Sequence, residues 1–223
     1  RMMTFRPDIE GLRAVAVTAV VAYHAAVPGV TGGFIGVDVF LVLSGFLITR
    51  LMLAEVEQRG RLSIRGFYAR RARRLLPAAT AVIAATVVGG WLLLSPLERR
   101  DLVGDALAAT TYTANWRYAA EGTDYFQSET GPSALQHYWS LAVEEQFYVV
   151  WPVLMTVLII GAATMAIARR RLALALLVAI AVSFVVSMEL TERSQPWAYF
   201  GLHARAWQLA TGVLLAVCWG YVE

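Results

Sequence analysis

Lysine is absent from this 223-residue chain, cysteine occurs once and histidine three times. Each shortage excludes something. A single thiol, Cys218, cannot form an internal disulfide and says nothing of redox compartment. No His, Cys and Asp cluster has ligand spacing, so a metal centre is not expected. No glycine-rich phosphate loop occurs, and Ser44 before Gly45 does not stand in a G-x-S-x-G nucleophile turn. Every basic residue being arginine, beside abundant alanine and valine, reads as coding bias. Charged residues are scarce, at 16%, against about 25% in an ordinary soluble domain. There is no internal repeat, low-complexity tract or linker between soluble domains.

What the chain has instead is hydrophobic length. Apolar residues make up 58% of it, and a bilayer core needs about 20 apolar residues per helix. Six segments qualify or nearly so: Leu12–Pro28, Phe34–Ala54, Leu76–Ser95, Phe147–Ala168, Leu172–Leu190 and Leu202–Tyr221. The expectation is an all-α polytopic transmembrane bundle of about six spans. The first span lacks a clear small-x-small cleavage site, and a second span follows almost at once. It therefore reads as a retained helix rather than a signal peptide.

The arginines orient this bundle. Arg59, Arg61, Arg65, Arg70, Arg71, Arg73 and Arg74 lie between spans two and three, Arg169–Arg171 between spans four and five, and Arg1 and Arg6 at the N-terminus. If six spans alternate, all three groups fall on one side, and the positive-inside rule makes that side cytoplasmic. The net charge of +3 is then topology, and no nucleic-acid partner is expected from so short a basic patch beside a membrane. On the other side lies the long segment 98–136. Within it Asp101–Ala119 has helical apolar spacing and reads as an amphipathic helix on the outer surface or roofing a cavity.

Ionisable groups inside spans mark cavities or partners. Arg13 and His24 are eleven residues apart on the first helix, about 20° apart around it and about 16 Å along it. The turn Pro28–Gly33 brings the chain back. A hairpin centred near Thr31 would put Asp38 at the depth of His24, as in a carboxylate-oriented base. Gly36, Ser44 and Gly45 would allow close helix packing. Proton relay and simple packing are equally open readings of the histidine. The stretch GFYARRARRLLP reads either as retained positive charge or as an anion clamp for a phosphate-bearing donor. Glu144 and Glu145 open the fourth span. They read as a helix-start pair, or as one acid facing a wet outer vestibule with His24 and Asp38 while the other meets Arg117 or a backbone donor.

Several motifs in order resemble the family-3 membrane acyltransferases, bacterial integral-membrane enzymes that O-acylate envelope polysaccharides and related molecules. They are RPDIEGLRAVAVTAVVAYH, GGFIGVDVFLVLSGFLIT, FYARRARRLLP, TANW, HYWSLAVEEQFYVVWP and HARAWQLATGVLLA. The last usually reads R-A-W-E-L in the family, and here Gln208 replaces the acid. The resemblance implies transfer of an acyl group, acetyl foremost, from acyl-CoA to a hydroxyl of an envelope glycan or glycolipid. It implies His24 as general base with Arg13 beside it, Arg70, Arg71, Arg73 and Arg74 holding the donor, and Glu144 and Glu145 in a mid-chain site. It implies no permanent cofactor and no metal, and an address in the bacterial inner membrane. Such domains have about ten helices, so residues 1–223 are expected to be the N-terminal part of one. A proton-coupled transporter or flippase of an envelope precursor, and a scaffold among envelope-complex partner proteins, are the competing readings.

Overall fold

The computed structural model describes residues 7–122 and 133–219. Arg1, Arg6, residues 123–132 of the outer segment 98–136 and the last residues of the expected sixth span lie outside these. The described residues form helices and connections, without strands. In chain order the helices are α1 (Pro7–His24), α2 (Ile35–Arg59), α3 (Ile64–Leu93), α4 (Pro96–Thr110), α5 (Ala114–Ala120), α6 (Tyr138–Ile159), α7 (Met165–Arg193), α8 (Gln195–Phe200) and α9 (Leu202–Trp219).

Four of them, α2, α3, α6 and α7, are long and apolar enough to cross a membrane. The other two expected spans, α1 and α9, are helices of 18 residues each, about 27 Å against a hydrocarbon core of about 30 Å. Both carry polar groups: Asp8, Glu10 and Arg13 on α1, and His203, Arg205 and Gln208 on α9.

Three boundaries differ from the sequence expectation. The basic segment after α2 is mostly helix, not loop. Gly60 ends α2 in the left-handed region at φ 69°, the side chain of Ser63 accepts from the Gly66 amide, and α3 begins at Ile64. Arg65 to Arg74 therefore ride on the first three turns of α3. Second, the apolar run Phe147–Ala168 is not one span. It breaks at Gly161, whose φ of 72° suits glycine, and Arg169–Arg171 belong to α7 rather than to a loop. Third, the amphipathic stretch after Asp101 is two helices, separated at Tyr112, a non-glycine residue at φ 54°. Its start is fixed by Ser95 and Glu98, which cap each other reciprocally.

The chain forms two compact units. The first comprises residues 1–62, 151–183 and 206–223. Here α1 and α2 form an antiparallel hairpin in which Gly33 lies against the carbonyl of Ala19 and Gly36 against that of Ala16. α2 and α9 run parallel. Asp38 meets Gln208, Val42 meets Gly212 and Phe46 packs with Ala216, a constant offset of 170 residues. Gly45 against Leu209 and Gly212 against Val42 leave no space for a Cβ, the close backbone approach that small residues permit between membrane helices.

The second unit comprises residues 63–150 and 184–205. α3 and α6 are antiparallel and meet at successive levels. The Tyr138 hydroxyl donates to the Ala79 carbonyl at 3.0 Å, Arg71 meets Glu145, and the Tyr68 hydroxyl donates to the Val149 carbonyl at 2.8 Å. α4 folds back along the second half of α3, with Leu102 against Gly90. Leu102, Ala106 and Leu135 pack with Ile83, Val87 and Tyr138. The segment after α3 therefore returns alongside that helix, and α6 starts only at the level of Ala79.

Candidate active site

On α1, His24 is exposed and its Nδ1 lies 2.8 Å from the Val20 carbonyl. A carbonyl only accepts, so Nδ1 carries the hydrogen, and Nε2 is the basic nitrogen of the neutral ring. Arg13 stands eleven residues earlier, with its guanidinium 5.3 Å from the Phe40 ring centre and 3.4 Å from Glu10. Asp38, half-buried, accepts a 2.8 Å hydrogen bond from the Gln208 amide.

The expected side-by-side arrangement of His24 and Asp38 is corrected by the hairpin register. Gly33 is level with Ala19 and Gly36 with Ala16. Continuing by two residues brings Asp38 level with Ala14, about 15 Å along α1 from His24. The physical reason is the path of the connection. It turns at Ala26 and Gly29, both at positive φ, and then lies back along the last turns of α1 instead of projecting beyond them. Asp38 thus shares a level with Arg13. Gln208, where the sequence departs from the family pattern, is 2% exposed and engages that aspartate.

In the second unit the four-arginine motif divides. At 100° per residue Arg70 lies between Arg73 and Arg74 on α3, while Arg71 points about 100° from Arg70, about 160° from Arg73 and about 60° from Arg74. Arg70, Arg73 and Arg74 are exposed. The Nε of Arg71 donates to both oxygens of Glu145, at 2.7 and 2.9 Å, and its Nη2 also meets Glu145. Glu144 lies 3.6 Å from the same Nη2 and accepts a 2.7 Å bond from the Tyr148 hydroxyl. The Arg71 guanidinium also stacks on the Tyr148 ring, 3.8 Å from its centre. The side chains of Arg71, Glu144 and Glu145 are 19%, 10% and 14% exposed. This is a bidentate pair held away from water, with a second carboxylate in reserve.

Two expectations change here. The carboxylates are not at the start of α6 opposite the arginine end of α3. They lie two turns in, level with Arg71, because α6 begins beside the middle of α3. Nor does Arg117 meet either acid. Its Nε donates to the buried Asp105 at 2.8 Å, and Glu121 lies 2.9 Å from its Nη2.

Sequence reading assigned no role to Tyr148, Asn115 or Gln146. Tyr148 follows Glu144 by one helical turn, a spacing that signals contact. Asn115 and Gln146 exchange amide hydrogen bonds at 3.3 and 2.8 Å. Asn115 also donates to the Phe200 carbonyl at 3.1 Å, and Gln146 to the Tyr112 carbonyl at 2.8 Å. This network ties α5, α6 and α8 together beside Glu145. Its members lie 31 and 85 residues apart, beyond the reach of any local pattern. Among the described residues no group of three or more His, Cys, Asp or Glu side chains could hold a metal ion.

Comparison with known proteins bears on the whole chain. It is 38% identical over 220 residues to the peptidoglycan O-acetyltransferase OatA of Listeria monocytogenes, covering 96% of this chain and 34% of that protein. It is 41% identical over 216 residues to the putative peptidoglycan O-acetyltransferase YrhL of Bacillus subtilis, covering 96% and 33%. A putative O-acetyltransferase of Staphylococcus aureus is 35% identical over 224 residues, covering 98% and 36%. The chain therefore spans about a third of the length of these relatives. No solved structure matches it. The family-3 model described as an acyltransferase domain matches residues 6–222. With membrane-length helices and that match along nearly its whole length, the chain belongs to the family-3 acyltransferases.

Proposed function

We propose that the protein containing this chain transfers an acetyl group from acetyl-CoA to a hydroxyl of a cell-envelope glycan, peptidoglycan foremost, in the bacterial inner membrane. The observation carrying this reading is the family match over residues 6–222. The relatives' names supply the acceptor and the acyl group.

His24 is the general base. Its Nδ1–H donates to the Val20 carbonyl, so the ring's lone pair is on Nε2, the atom that takes the acceptor hydroxyl proton. The resulting alkoxide attacks the thioester carbonyl. The tetrahedral oxyanion is met by a cationic or amide donor, and it collapses with cleavage of the C–S bond. The imidazolium returns its proton to the departing thiolate. Arg70, Arg73 and Arg74 hold the donor's phosphates from the cytoplasmic side. Arg13 and Asp38, at one level of the first hairpin, shape the path of the pantetheine arm toward His24, about 16 Å further along α1. Arg71, Glu144 and Glu145 hold α3 against α6 and so fix the face that carries the donor arginines.

The test is transfer of labelled acetyl from acetyl-CoA to peptidoglycan fragments by the full-length protein in proteoliposomes. His24→Ala is expected to lower the rate about 100-fold or more, the usual contribution of a positioned base, with the unfolding midpoint unchanged. Undiminished transfer by this variant sinks the assignment of the base. Absence of transfer by the wild-type protein from any acyl-CoA sinks the donor.

A further inference from the structure

Within the first unit, a cavity of about 530 Å³ opens where α2 and α6 end and α7 begins, a volume usual for a small-molecule site. Its walls are mainly apolar, including Val56, Leu62, Met155 and Ile159, and Arg61 stands in its lining. Ile160, also in the lining, is 68% exposed. It continues the outward apolar face of α6 formed by Val153, Leu154 and Val157. The cavity is therefore continuous with a surface suited to hydrocarbon.

The charges around it are arranged asymmetrically. Glu57, the carboxylate in the lining, is neutralised by Arg169 at 2.6 Å. Arg61, Arg170 and Arg171 are exposed, and among the described residues none of the three has a carboxylate partner. The 29-residue α7 starts at Met165 in the cavity wall, so the positive end of its dipole adds to the same field. Apolar walls open to lipid, with surplus positive charge at the level where three helices end, match a molecule with an acyl chain and an anionic head.

We propose that this cavity binds an anionic membrane glycerophospholipid, with one acyl chain between α2, α6 and α7 and its phosphate at Arg61. A polar phosphate compound without a long acyl chain, such as coenzyme A, would leave the apolar walls uncovered. The assignment stands independently of the acyl-transfer reading.

Native mass spectrometry of the full-length protein in neutral detergent tests it. The probes are phosphatidylglycerol, phosphatidylcholine of identical chains, and coenzyme A. Phosphatidylglycerol is expected to be retained in preference to phosphatidylcholine. Arg61→Gln should weaken it about fivefold, and the Arg61, Arg170 and Arg171 triple glutamine variant about 100-fold, at the usual worth of an interfacial arginine. Ala163→Trp, placed in the connection rather than in a helix, should exclude both lipids by filling the space. Equal retention of the two lipids, a preference unmoved by Arg61→Gln, or displacement of phosphatidylglycerol by coenzyme A would each overturn the proposal. Arg61→Gln alters an exposed side chain, so the test does not depend on the cavity-filling variant folding.

Discussion

The Arg71–Glu145 pair offers the sharpest test of how this fold is held. Both side chains are more than four-fifths shielded from solvent, and both fork atoms of the guanidinium meet the carboxylate. Breaking such a pair from one side costs about 3–5 kcal/mol, because the surviving charge stays shielded and uncompensated. The two single variants should differ. After Glu145→Gln, Arg71 still has Glu144 at 3.6 Å and the Tyr148 ring at 3.8 Å. The loss should fall at about 3 kcal/mol, a factor of about 100 in the folding equilibrium. After Arg71→Met, two adjacent carboxylates lose the cation between them, and the loss should approach about 5 kcal/mol. The double variant Arg71→Met with Glu145→Leu removes the pair together and should be more stable than Arg71→Met alone. Replacing a whole shielded pair by apolar groups is often near neutral.

The assay is equilibrium unfolding in mixed micelles of the wild type, Arg71→Met, Glu145→Leu and their double variant, combined as a double-mutant cycle, with Glu145→Gln measured beside them. Additive losses, with a coupling below about 0.5 kcal/mol, would refute the argument. Acyl-transfer kinetics supply a second refutation. If Arg71→Met raises KM for acyl-CoA about tenfold or more while the unfolding midpoint stays put, Arg71 holds the donor and the pair is incidental.

Other consequences follow from single contacts. Arg73→Ala and Arg74→Ala should each raise KM for acyl-CoA by about tenfold, the worth of one charge-assisted hydrogen bond, with unfolding unchanged; an unaltered KM would count against the phosphate role. Gly212→Ala forces a methyl group into the Val42 carbonyl and should destabilise by about 1–3 kcal/mol. Gly89→Ala meets nothing within 4 Å and should gain up to about 1 kcal/mol from helix propensity; thermal melts in detergent separate the two. The Ser95 side chain, and then its backbone amide, hold the Glu98 carboxyl below the usual range by hydrogen bonding. A lowered folded-state value means that this contribution is complete above the ordinary carboxylate pKa of about 4.3 and is lost as pH falls through the folded value. Hydrogen exchange at the first turn of α4 should therefore accelerate on acidification; Ser95→Ala, which keeps the backbone donor, should weaken that dependence, and Glu98→Gln should abolish it.

Much of this architecture was legible because length and hydropathy act locally. Long apolar runs disclosed α2, α3 and α7, and Gly36 and Gly45 announced close packing that the structure displays. Boundaries inside basic or uniformly apolar stretches were not legible. Arginine is a good helix former, so the charge cluster that reads as a cytoplasmic loop can equally continue a helix, as it does from Arg65 to Arg74. Gly161 interrupts a run whose hydropathy scarcely changes, and only its positive φ separates α6 from α7. The level of Asp38 depended on how the connection after His24 folds back. Symmetry about Thr31 could not supply that.

The arginine motif shows where the limit falls. The 3.6-residue period turns Arg71 about 100° from Arg70 and about 160° from Arg73, though only about 60° from Arg74, and the same period puts Tyr148 one turn beyond Glu144. Both facts can be read without coordinates, but the division of the four arginines shows only in their burial, Arg71 being shielded and the other three exposed. What the period cannot supply is the partner. Glu145 is 74 residues from Arg71, and their meeting requires α6 to start beside the middle of α3, which in turn requires α4 to fold back along the other half of that helix. The packing of α3, α4 and α6 decides that Arg71 is shielded against Glu145 while Arg70, Arg73 and Arg74 stay exposed.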